Sequence, residues 1–226
     1  MKFATQIALV VVSFITLIGL IKMISKQNKS ASGAGTVIIL NGPSCAGKST
    51  VIKAFQAKQS MPWLSIGIDN FFVGVLPPKF YVEDKPEYHA VMHGIASIDE
   101  QGNKIFTLNI GPEGQKVIKG MHRAIADYAK AGNNVIVDYI NYDPAWIPDL
   151  TKALHGIKML WVGVTASLES IEAREKLRGR PNIEGHARSH YNTVHQGIAY
   201  DLMIDTDKLT PEQAADNIIK LLNGRP

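Results

Sequence analysis

The sequence predicts an α/β protein with three layers: a parallel sheet of about five strands with helices on both faces, preceded by an N-terminal apolar helix. Three observations support this prediction. Short β-branched apolar runs alternate with amphipathic segments, a glycine-rich turn with a lysine follows the first run, and apolar side chains dominate the N-terminus. Alternating strands and helices build a parallel sheet, and ligands of such sheets gather at the carboxyl ends of the strands.

Each predicted strand is a short apolar run, and each predicted helix is a longer segment with apolar residues at helical spacing. The strands are predicted at residues 36–40, 63–68, 135–137, 157–164 and 202–204. The helices are predicted at residues 51–59, 113–130, 144–155, 168–177 and 211–222. Gly132 shortly follows the second helix, and Pro211 fits the first turn of the last one.

Residues 42–50 read G-P-S-C-A-G-K-S-T and match the phosphate-binding pattern G-x-x-x-x-G-K-[ST] at every fixed position. The strand before them and the helix after them provide the context that such a loop needs. Its glycines let successive backbone N–H groups point at phosphate oxygens, aided by the positive end of the helix. The predicted nucleotide-binding residues are Gly42, Pro43, Ser44, Cys45, Ala46, Gly47, Lys48, Ser49 and Thr50.

Two side chains of this loop have distinct predicted roles, with ATP and Mg2+ as the cofactors. The ammonium of Lys48 reaches the β- and γ-phosphates, and the hydroxyl of Ser49 ligates the Mg2+ that bridges them. Thr50 supports the turn. Cys45 is the single cysteine of the sequence, so no intrachain disulfide can form, which fits a reducing compartment.

The excess of basic over acidic residues in the chain lies in its N-terminal segment. Lys2, Lys22, Lys26 and Lys29 lie within residues 1–35, which contain no acidic residue, and elsewhere basic and acidic residues are equal in number. A nucleic-acid-binding domain needs a basic surface on its folded part. We therefore expect no nucleic-acid partner, while the sequence leaves the oligomeric state open.

Residues 1–30 form the predicted membrane anchor and its basic flank. Residues 7–21 contain no charge, and the apolar stretch 3–24 has nearly the length of a membrane span. The lysines that follow outnumber Lys2, so the positive-inside rule predicts a single-pass anchor in the inner membrane with the C-terminal domain in the cytoplasm. A cleaved secretory signal and a core helix remain as alternatives. Residues 31–35 are then a flexible tether.

Residues 36–226 form one predicted P-loop domain, whose alternation of strands and helices is interrupted at residues 70–110. The interruption contains Pro77 and Pro78, scattered aromatic residues and a D-E-Q-G-N turn at residues 99–103. Insertions at the functional edge of an α/β sheet commonly cover or select a substrate. We therefore predict that residues 70–110 cover the acceptor pocket.

Two aspartates end predicted strands beside the loop. Asp69 follows the second strand, where it can accept the proton of an acceptor hydroxyl during phosphoryl transfer. Asp138 ends the V-I-V-D run and is predicted to hold Mg2+ together with Ser49, directly or through water. Both have a structural alternative, because an aspartate at a strand end can also cap a helix or a turn.

Arginines cluster at residues 174–190, a glycine-containing segment after the fourth predicted strand. Such a segment can close over the transferring phosphoryl group as a lid and neutralise its charge. A solvated charged surface is the alternative interpretation. The arginines of this segment are Arg174, Arg178, Arg180 and Arg188.

Two histidine pairs have helical spacing, His89 with His93 and His186 with His190. Neither pair has a nearby third ligand in an H-E-x-x-H arrangement. We interpret both pairs as surface histidines, and the sequence indicates no metal other than Mg2+.

Five blocks of the sequence resemble, in order and spacing, the chloramphenicol phosphotransferase-like family from about residue 36 to the C-terminus. They are V-I-I-L-N-G-P-S-C-A-G-K-S-T, P-W-L-S-I-G-I-D, V-I-V-D, L-W-V-G-V and V-H-Q-G-I-A-Y-D. The resemblance implies a P-loop kinase-type domain that uses ATP and magnesium to phosphorylate a small-molecule hydroxyl, that of chloramphenicol in the founding member. It also implies that Asp69 is the base and that Arg174 and Arg178 belong to the lid. The N-terminal apolar segment and residues 70–110 depart from the family pattern.

The leading functional hypothesis is an ATP-dependent O-phosphotransferase acting on a small molecule, with Asp69, Lys48, Arg174 and Arg178 as catalytic residues. One alternative is a nucleotide-dependent regulatory or switch ATPase anchored at the membrane, although the N-K-x-D motif of GTP switches is missing. Another is a nucleoside or polynucleotide kinase, which the neutral charge balance disfavours.

Overall fold

The main sheet is built from the apolar runs that the sequence predicts as strands. A computed structural model describes residues 33–179 and 183–224. Within them the five-stranded sheet is parallel throughout. Its strands, in spatial order, are Trp63–Gly67 (β2), Asn134–Tyr139 (β5), Val37–Asn41 (β1), Met159–Thr165 (β6) and Leu202–Asp205 (β7). The α/β class and the five-stranded parallel sheet are thus confirmed.

Helices connect the strands and cover both faces of the sheet. Alternate residues of a strand point to opposite faces. Ile38 and Leu40 of β1 therefore pack into one hydrophobic core, and Val37 and Ile39 pack into the other. The helices are Lys48–Ala57 (α1), Ile68–Phe72 (α2), Lys79–Val82 (α3), Pro112–Lys130 (α4), Trp146–Ala153 (α5), Leu168–Leu177 (α6), His186–His190 (α7) and Pro211–Gly224 (α8). The first core includes α1 and α8, and the second includes α4 and α5.

The order and register of the strands bring the predicted site residues to one edge of the sheet. Strand β5 lies between β2 and β1, and Gly67 at the end of β2 is aligned with Asp138 near the end of β5. The chain then continues from β1 into residues 42–50 and from β2 toward Asp69. Because the carboxyl ends of parallel strands share one edge, these segments meet there.

Residues 70–110 contain a second, two-stranded sheet that was not predicted. Met92–Ile98 (β3) and Lys104–Ile110 (β4) pair antiparallel and are joined by the D-E-Q-G-N turn. The sequence pattern hides them because apolar residues also occupy solvent-facing positions: Ile95 is 47% exposed and Ile98 is 71% exposed. Strand prediction from alternation therefore fails in this hairpin.

The described residues, 33–179 and 183–224, include no helix that is both long and apolar enough to cross a membrane. The longest of their helices, α4, has 19 residues but carries charged side chains, among them Lys116, Lys119 and Arg123. The predicted N-terminal helix and anchor at residues 1–30 lie outside the described residues. The predicted single-pass membrane location is therefore corrected, because no described helix can serve as its span.

Candidate active site

The loop between β1 and α1 curls tightly over the end of the sheet. Gly47 has a φ of +93°, a conformation that glycine adopts without steric cost. A Cβ atom at Gly42 would lie 2.0 Å from the carbonyl oxygen of Val164 in β6, so only glycine fits there. Cys45 also has a positive φ, +63°, which is uncommon for a residue with a side chain. This backbone geometry produces an inward-facing loop directly before the N-terminus of α1.

Lys48 is buried inside this loop, with 5% of its side chain exposed. Its Nζ donates hydrogen bonds to the carbonyl oxygens of Gly42 and Pro43, both at 2.9 Å, and lies 3.6 Å from Oδ1 of Asp138. Burial lowers the pKa of Lys48, and the neighbouring carboxylate of Asp138 acts in the opposite direction. The ammonium is therefore held by the loop itself, next to the place where phosphates would bind.

The hydroxyl of Ser49 and the carboxylate of Asp138 form a pair of oxygen ligands at the mouth of the loop. Ser49 Oγ donates to Asp138 Oδ2 at 2.6 Å. Magnesium prefers oxygen ligands and usually keeps several waters, so a hydroxyl and one carboxylate are a suitable partial ligand set. The chemistry of these two side chains fits the Mg2+ that the sequence predicts.

One cavity of about 450 Å³ brings most of the predicted site residues together. It extends from the phosphate loop to the ends of β2 and β5. The charged side chains of its lining are of two kinds: cations that can neutralise phosphate, and carboxylates that can accept a proton or hold a metal ion. The charged residues that line it are Lys48, Lys53, Asp69, Asp138 and Arg178.

Asp69 lies in the first turn of a helix and not at the end of a strand, because β2 ends at Gly67 and α2 begins at Ile68. The side chain at the start of this helix comes from Asn70, whose Oδ1 accepts a hydrogen bond from the Gly67 backbone N–H at 2.7 Å. The Asp69 carboxylate is not needed for that cap, and it lines the cavity.

The two predicted catalytic arginines occupy different positions. Arg178, at the C-terminal end of α6, lines the cavity. Arg174 is not among the lining residues. Its guanidinium donates to Thr206 Oγ1 at 2.9 Å, pairs with Asp207 at 3.0 Å and lies 3.5 Å from the Cys45 carbonyl oxygen. Arg174 therefore contacts the phosphate loop at the Cys45 carbonyl and does not line the cavity.

Of the remaining predicted lid arginines, Arg188 is not among the residues that line the cavity. Arg188 in α7 pairs with Glu172 of α6 at 2.5 Å and with Asp99 of the hairpin turn at 3.6 Å. Arg180 lies outside the described residues. The second half of the predicted lid segment is therefore attached to the hairpin.

The histidines of α7 are buried, which contradicts their interpretation as surface residues: His186 is 9% exposed and His190 is 4% exposed. His190 Nε2 accepts a hydrogen bond from the backbone N–H of Ser44 at 3.0 Å. An N–H group can only donate, so Nε2 is unprotonated, and burial lowers the pKa of His190 to about 2. The ring of Tyr142 contacts both histidine rings. A neutral histidine therefore holds the first half of the phosphate loop.

The V-H-Q-G-I-A-Y-D block, residues 194–201, holds the end of β1 through hydrogen bonds. Asn41 Nδ2 donates to the Val194 carbonyl oxygen at 2.8 Å and to the Tyr200 hydroxyl at 2.6 Å, while its Oδ1 accepts from the Asn141 N–H at 2.9 Å. His195 Nδ1 lies 2.7 Å from the same Tyr200 hydroxyl. Sequence analysis quoted both segments for the family resemblance but assigned these residues no role, although an asparagine at the end of an otherwise apolar strand was a signal for one.

Comparison with known proteins identifies the family of this chain. The family described as "Chloramphenicol phosphotransferase-like protein" matches residues 35–223. The chain belongs to this family. Two relatives from two strains of Mycobacterium tuberculosis carry the name "Putative O-phosphotransferase" and are 32% identical to it over 173 residues, covering 76% of this chain and 75% of each relative.

Several solved structures, two of them of kinases, share the fold of this chloramphenicol phosphotransferase-like protein. An APS kinase from Mycobacterium tuberculosis, solved with AMPPNP and APS, superposes with a TM-score of 0.57 at 16% identity, covering 84% of this chain and 98% of that one. A sugar kinase from Janibacter gives 0.57 at 12%, with 84% and 95% covered. The tunicamycin resistance protein of Deinococcus radiodurans gives 0.54 at 16%, with 83% and 95% covered.

Membership of the chloramphenicol phosphotransferase-like family confirms the resemblance found in the sequence. The chain is a kinase-like phosphotransferase with a nucleotide-binding P-loop fold. The regulatory switch and the nucleoside or polynucleotide kinase that the sequence left open are not favoured by these relatives.

Proposed function

We propose that the protein is an ATP-dependent O-phosphotransferase that transfers the γ-phosphate to a hydroxyl of a small molecule. The observation that carries this proposal is the shared cavity, whose lining includes both the phosphate loop and Asp69. A loop that can bind the phosphate donor and a carboxylate that can accept a proton are the two parts that transfer to an alcohol requires.

In the transfer step, the acceptor oxygen attacks the γ-phosphorus of ATP and forms a new P–O bond. The bond between that phosphorus and the β–γ bridging oxygen breaks, and ADP leaves. The hydroxyl proton passes to the carboxylate of Asp69. Lys48, released from the Gly42 and Pro43 carbonyls, stabilises the charge that develops on the phosphate oxygens.

The other charged groups are assigned by their places in the cavity. Ser49 and Asp138 would hold Mg2+, which when bound supplies positive charge against the β- and γ-phosphate oxygens. Arg178 faces the cavity and is assigned to the transferring phosphoryl group. Arg174, also predicted to be catalytic, is assigned to the loop that it supports, through Cys45.

The test is transfer of radiolabelled γ-phosphate by the full-length chain to a panel of neutral alcohols that includes chloramphenicol, sugars and simple diols. We expect a labelled product that depends on both Mg2+ and an alcohol. Hydrolysis of ATP that is unchanged by every alcohol would contradict a phosphotransferase with a hydroxyl acceptor.

A further inference from the structure

We propose that Lys53 binds a negatively charged group of the acceptor, so that the enzyme prefers small hydroxy compounds that also carry a carboxylate or another anionic substituent. This inference rests on the proposed function and specifies its substrate class. It follows from three observations on Lys53: its place in the cavity lining, its position on α1 relative to the phosphate loop, and the lack of a described partner for its ammonium.

The cavity continues from the phosphate loop along one face of α1. The lining residues of this helix beyond Lys48 are Ser49, Ile52, Lys53 and Gln56. Residues three, four and seven positions after Ser49 lie on the same side of a helix. A helix rises about 1.5 Å per residue, so Lys53 lies about 6 Å farther from the N-terminus of α1 than Ser49 does. Lys53 is therefore about one turn beyond the place where phosphates would bind.

The strand that leads to the predicted base contributes to the same lining. Ser65 and Gly67 of β2 line the cavity, as does Asp69 shortly after them. Gln56 Nε2 donates a hydrogen bond to the carbonyl oxygen of Trp63, the first residue of β2, at 2.7 Å. The helix face that carries Lys53 is thus joined to the strand that carries the chain to Asp69.

The ammonium of Lys53 is not used by the protein itself. It has neither an ion pair nor a hydrogen bond within residues 33–179 and 183–224, the described part of the chain. Lys58, one residue after the same helix, pairs instead with Asp216 at 2.5 Å. Asp138 in the cavity is already engaged by Ser49 at 2.6 Å. A lysine that lines a cavity without a partner offers its charge to an anion that a ligand supplies.

The position of Lys53 favours the acceptor over the nucleotide as the source of that anion. Four of the five charged residues in the described lining already have roles in the proposed transfer: Lys48 and Arg178 toward phosphate, Asp138 toward Mg2+ and Asp69 toward the hydroxyl proton. In-line transfer places the acceptor opposite the leaving ADP, so Asp69 marks the acceptor side. Lys53 is joined to the strand before Asp69 and is assigned to that side.

One molecule that meets both residues carries a hydroxyl for Asp69 and an anionic group for Lys53. A neutral group in contact with the ammonium would remove water from it without compensating its charge. Neutral alcohols therefore remain acceptors, but with a lower kcat/KM than their anionic counterparts.

The experiment compares hydroxy acids with their primary amides, which have nearly the same shape and no charge. The pairs are 3-hydroxypropanoate with 3-hydroxypropanamide, 4-hydroxybutanoate with 4-hydroxybutanamide, and 4-(hydroxymethyl)benzoate with 4-(hydroxymethyl)benzamide. Transfer of labelled phosphate by the full-length protein gives kcat/KM. Calorimetric titration of the same protein saturated with Mg2+ and AMPPNP gives the Kd of each compound while a nucleotide occupies the phosphate loop.

We expect at least one hydroxy acid to exceed its amide by about three- to tenfold in both measurements, the effect of an ion pair that solvent partly reaches. The advantage should shrink when the salt concentration is raised from about 50 to 500 mM, because salt screens exposed charges. A preference based on shape alone would not respond to salt.

Two variants test whether Lys53 is the source of this preference. Lys53→Gln should remove the advantage of the hydroxy acids. Lys53→Glu should reverse it, so that 4-aminobutan-1-ol becomes a better acceptor than 4-hydroxybutanoate, a gain that misfolding cannot produce. Lys119→Gln, at an exposed position on α4 that does not line the cavity, is the matched control and should keep the wild-type preference.

The outcomes separate this inference from the proposed function. Equal use of acids and amides by the wild type, or a preference that survives Lys53→Gln, would overturn the inference and leave the phosphotransferase intact. A loss of AMPPNP affinity in Lys53→Gln that exceeds the loss of hydroxy-acid affinity would assign Lys53 to the nucleotide and also overturn it. Failure to phosphorylate any of the six compounds or the wider panel would overturn the proposed function, while the titration still decides whether Lys53 binds the anion.

Discussion

At the scale of single residues, Lys48 shows how the phosphate loop holds a buried positive charge. Its ammonium is removed from water and is compensated by the carbonyl oxygens of Gly42 and Pro43 and by Asp138. A buried ammonium needs such partners, because desolvation disfavours its charge. Phosphate oxygens would be stronger partners than carbonyls, so the lysine has a physical reason to exchange them when a nucleotide binds.

We expect Lys48→Ala to lower kcat/KM by about 100-fold or more while weakening ATP binding much less, because its charge is needed most as the phosphoryl group leaves. Steady-state kinetics and calorimetric titration with ATP measure the two effects. Lys119→Ala is the matched control, since Lys119 is an exposed lysine on α4 that does not line the cavity. Turnover in Lys48→Ala equal to that of the control would rule out this role.

Asp69→Asn should reduce phosphoryl transfer by about 100- to 10,000-fold, because an amide cannot accept the hydroxyl proton. Nucleotide affinity should be unchanged, since Asn70 and not Asp69 makes the side-chain hydrogen bond to Gly67 at the start of the helix. Asp127→Asn, at an exposed position of α4, serves as the control. If Asp69→Asn retains full transfer, another group must be the base.

At the scale of secondary-structure elements, the short helix α7 connects the hairpin with the phosphate loop. Glu175 of α6 accepts hydrogen bonds from the backbone N–H groups of Gly185 and Ala187 at 2.8 and 2.9 Å, which satisfies the first turn of α7. His190 at its other end holds Ser44. A helix of five residues is not stable alone, so these tertiary contacts determine its position.

Glu175→Ala should lower the free energy of unfolding by about 2–3 kcal/mol, because it leaves two N–H groups without their charged acceptor in a largely buried place. Urea denaturation at neutral pH measures the change. Lys176→Ala, at an exposed position of the same helix, should stay within about 0.5 kcal/mol of the wild type. Equal stability of the two variants would show that Glu175 does not hold α7.

At the scale of the whole molecule, buried histidines link stability to pH. Burial lowers the pKa of His190 to about 2 and also lowers the pKa values of His122 and His186. Below the ordinary histidine pKa near 6.5, the unfolded chain binds protons that the folded chain does not, so the free energy of unfolding falls as the pH falls. For His190 alone, the loss at pH 5 is about 2 kcal/mol.

We therefore expect the urea midpoint to decrease between pH 7 and pH 5, and His190→Gln to make that decrease shallower. Glutamine does not titrate, and its amide oxygen can still accept the Ser44 N–H. The control is His155→Gln at an exposed position, which should keep the wild-type slope. An unchanged slope in His190→Gln would exclude His190 as a source of the pH dependence.

The sequence alone determined the strands of the main sheet, the phosphate loop and the two aspartates at its edge. Those signals are local: a run of β-branched residues, a fixed pattern of eight residues, and an acid at the end of an apolar run. Even there, tertiary structure shifted Asp69 from a strand end into the first turn of α2, because element boundaries depend on capping contacts.

Only the tertiary structure decided how the more distant residues are used. In the folded protein Arg174 contacts the phosphate loop outside the cavity lining, whereas Arg178 lines the cavity. His186 and His190 are buried between the phosphate loop and the hairpin. The bond from Ser44 to His190 joins residues 146 positions apart, and no local pattern encodes such a contact. The spacing of residues along the chain indicates which helix, strand or loop a segment can form. The burial of a side chain and its contacts with distant residues determine whether that side chain is charged or neutral and whether it can bind a ligand.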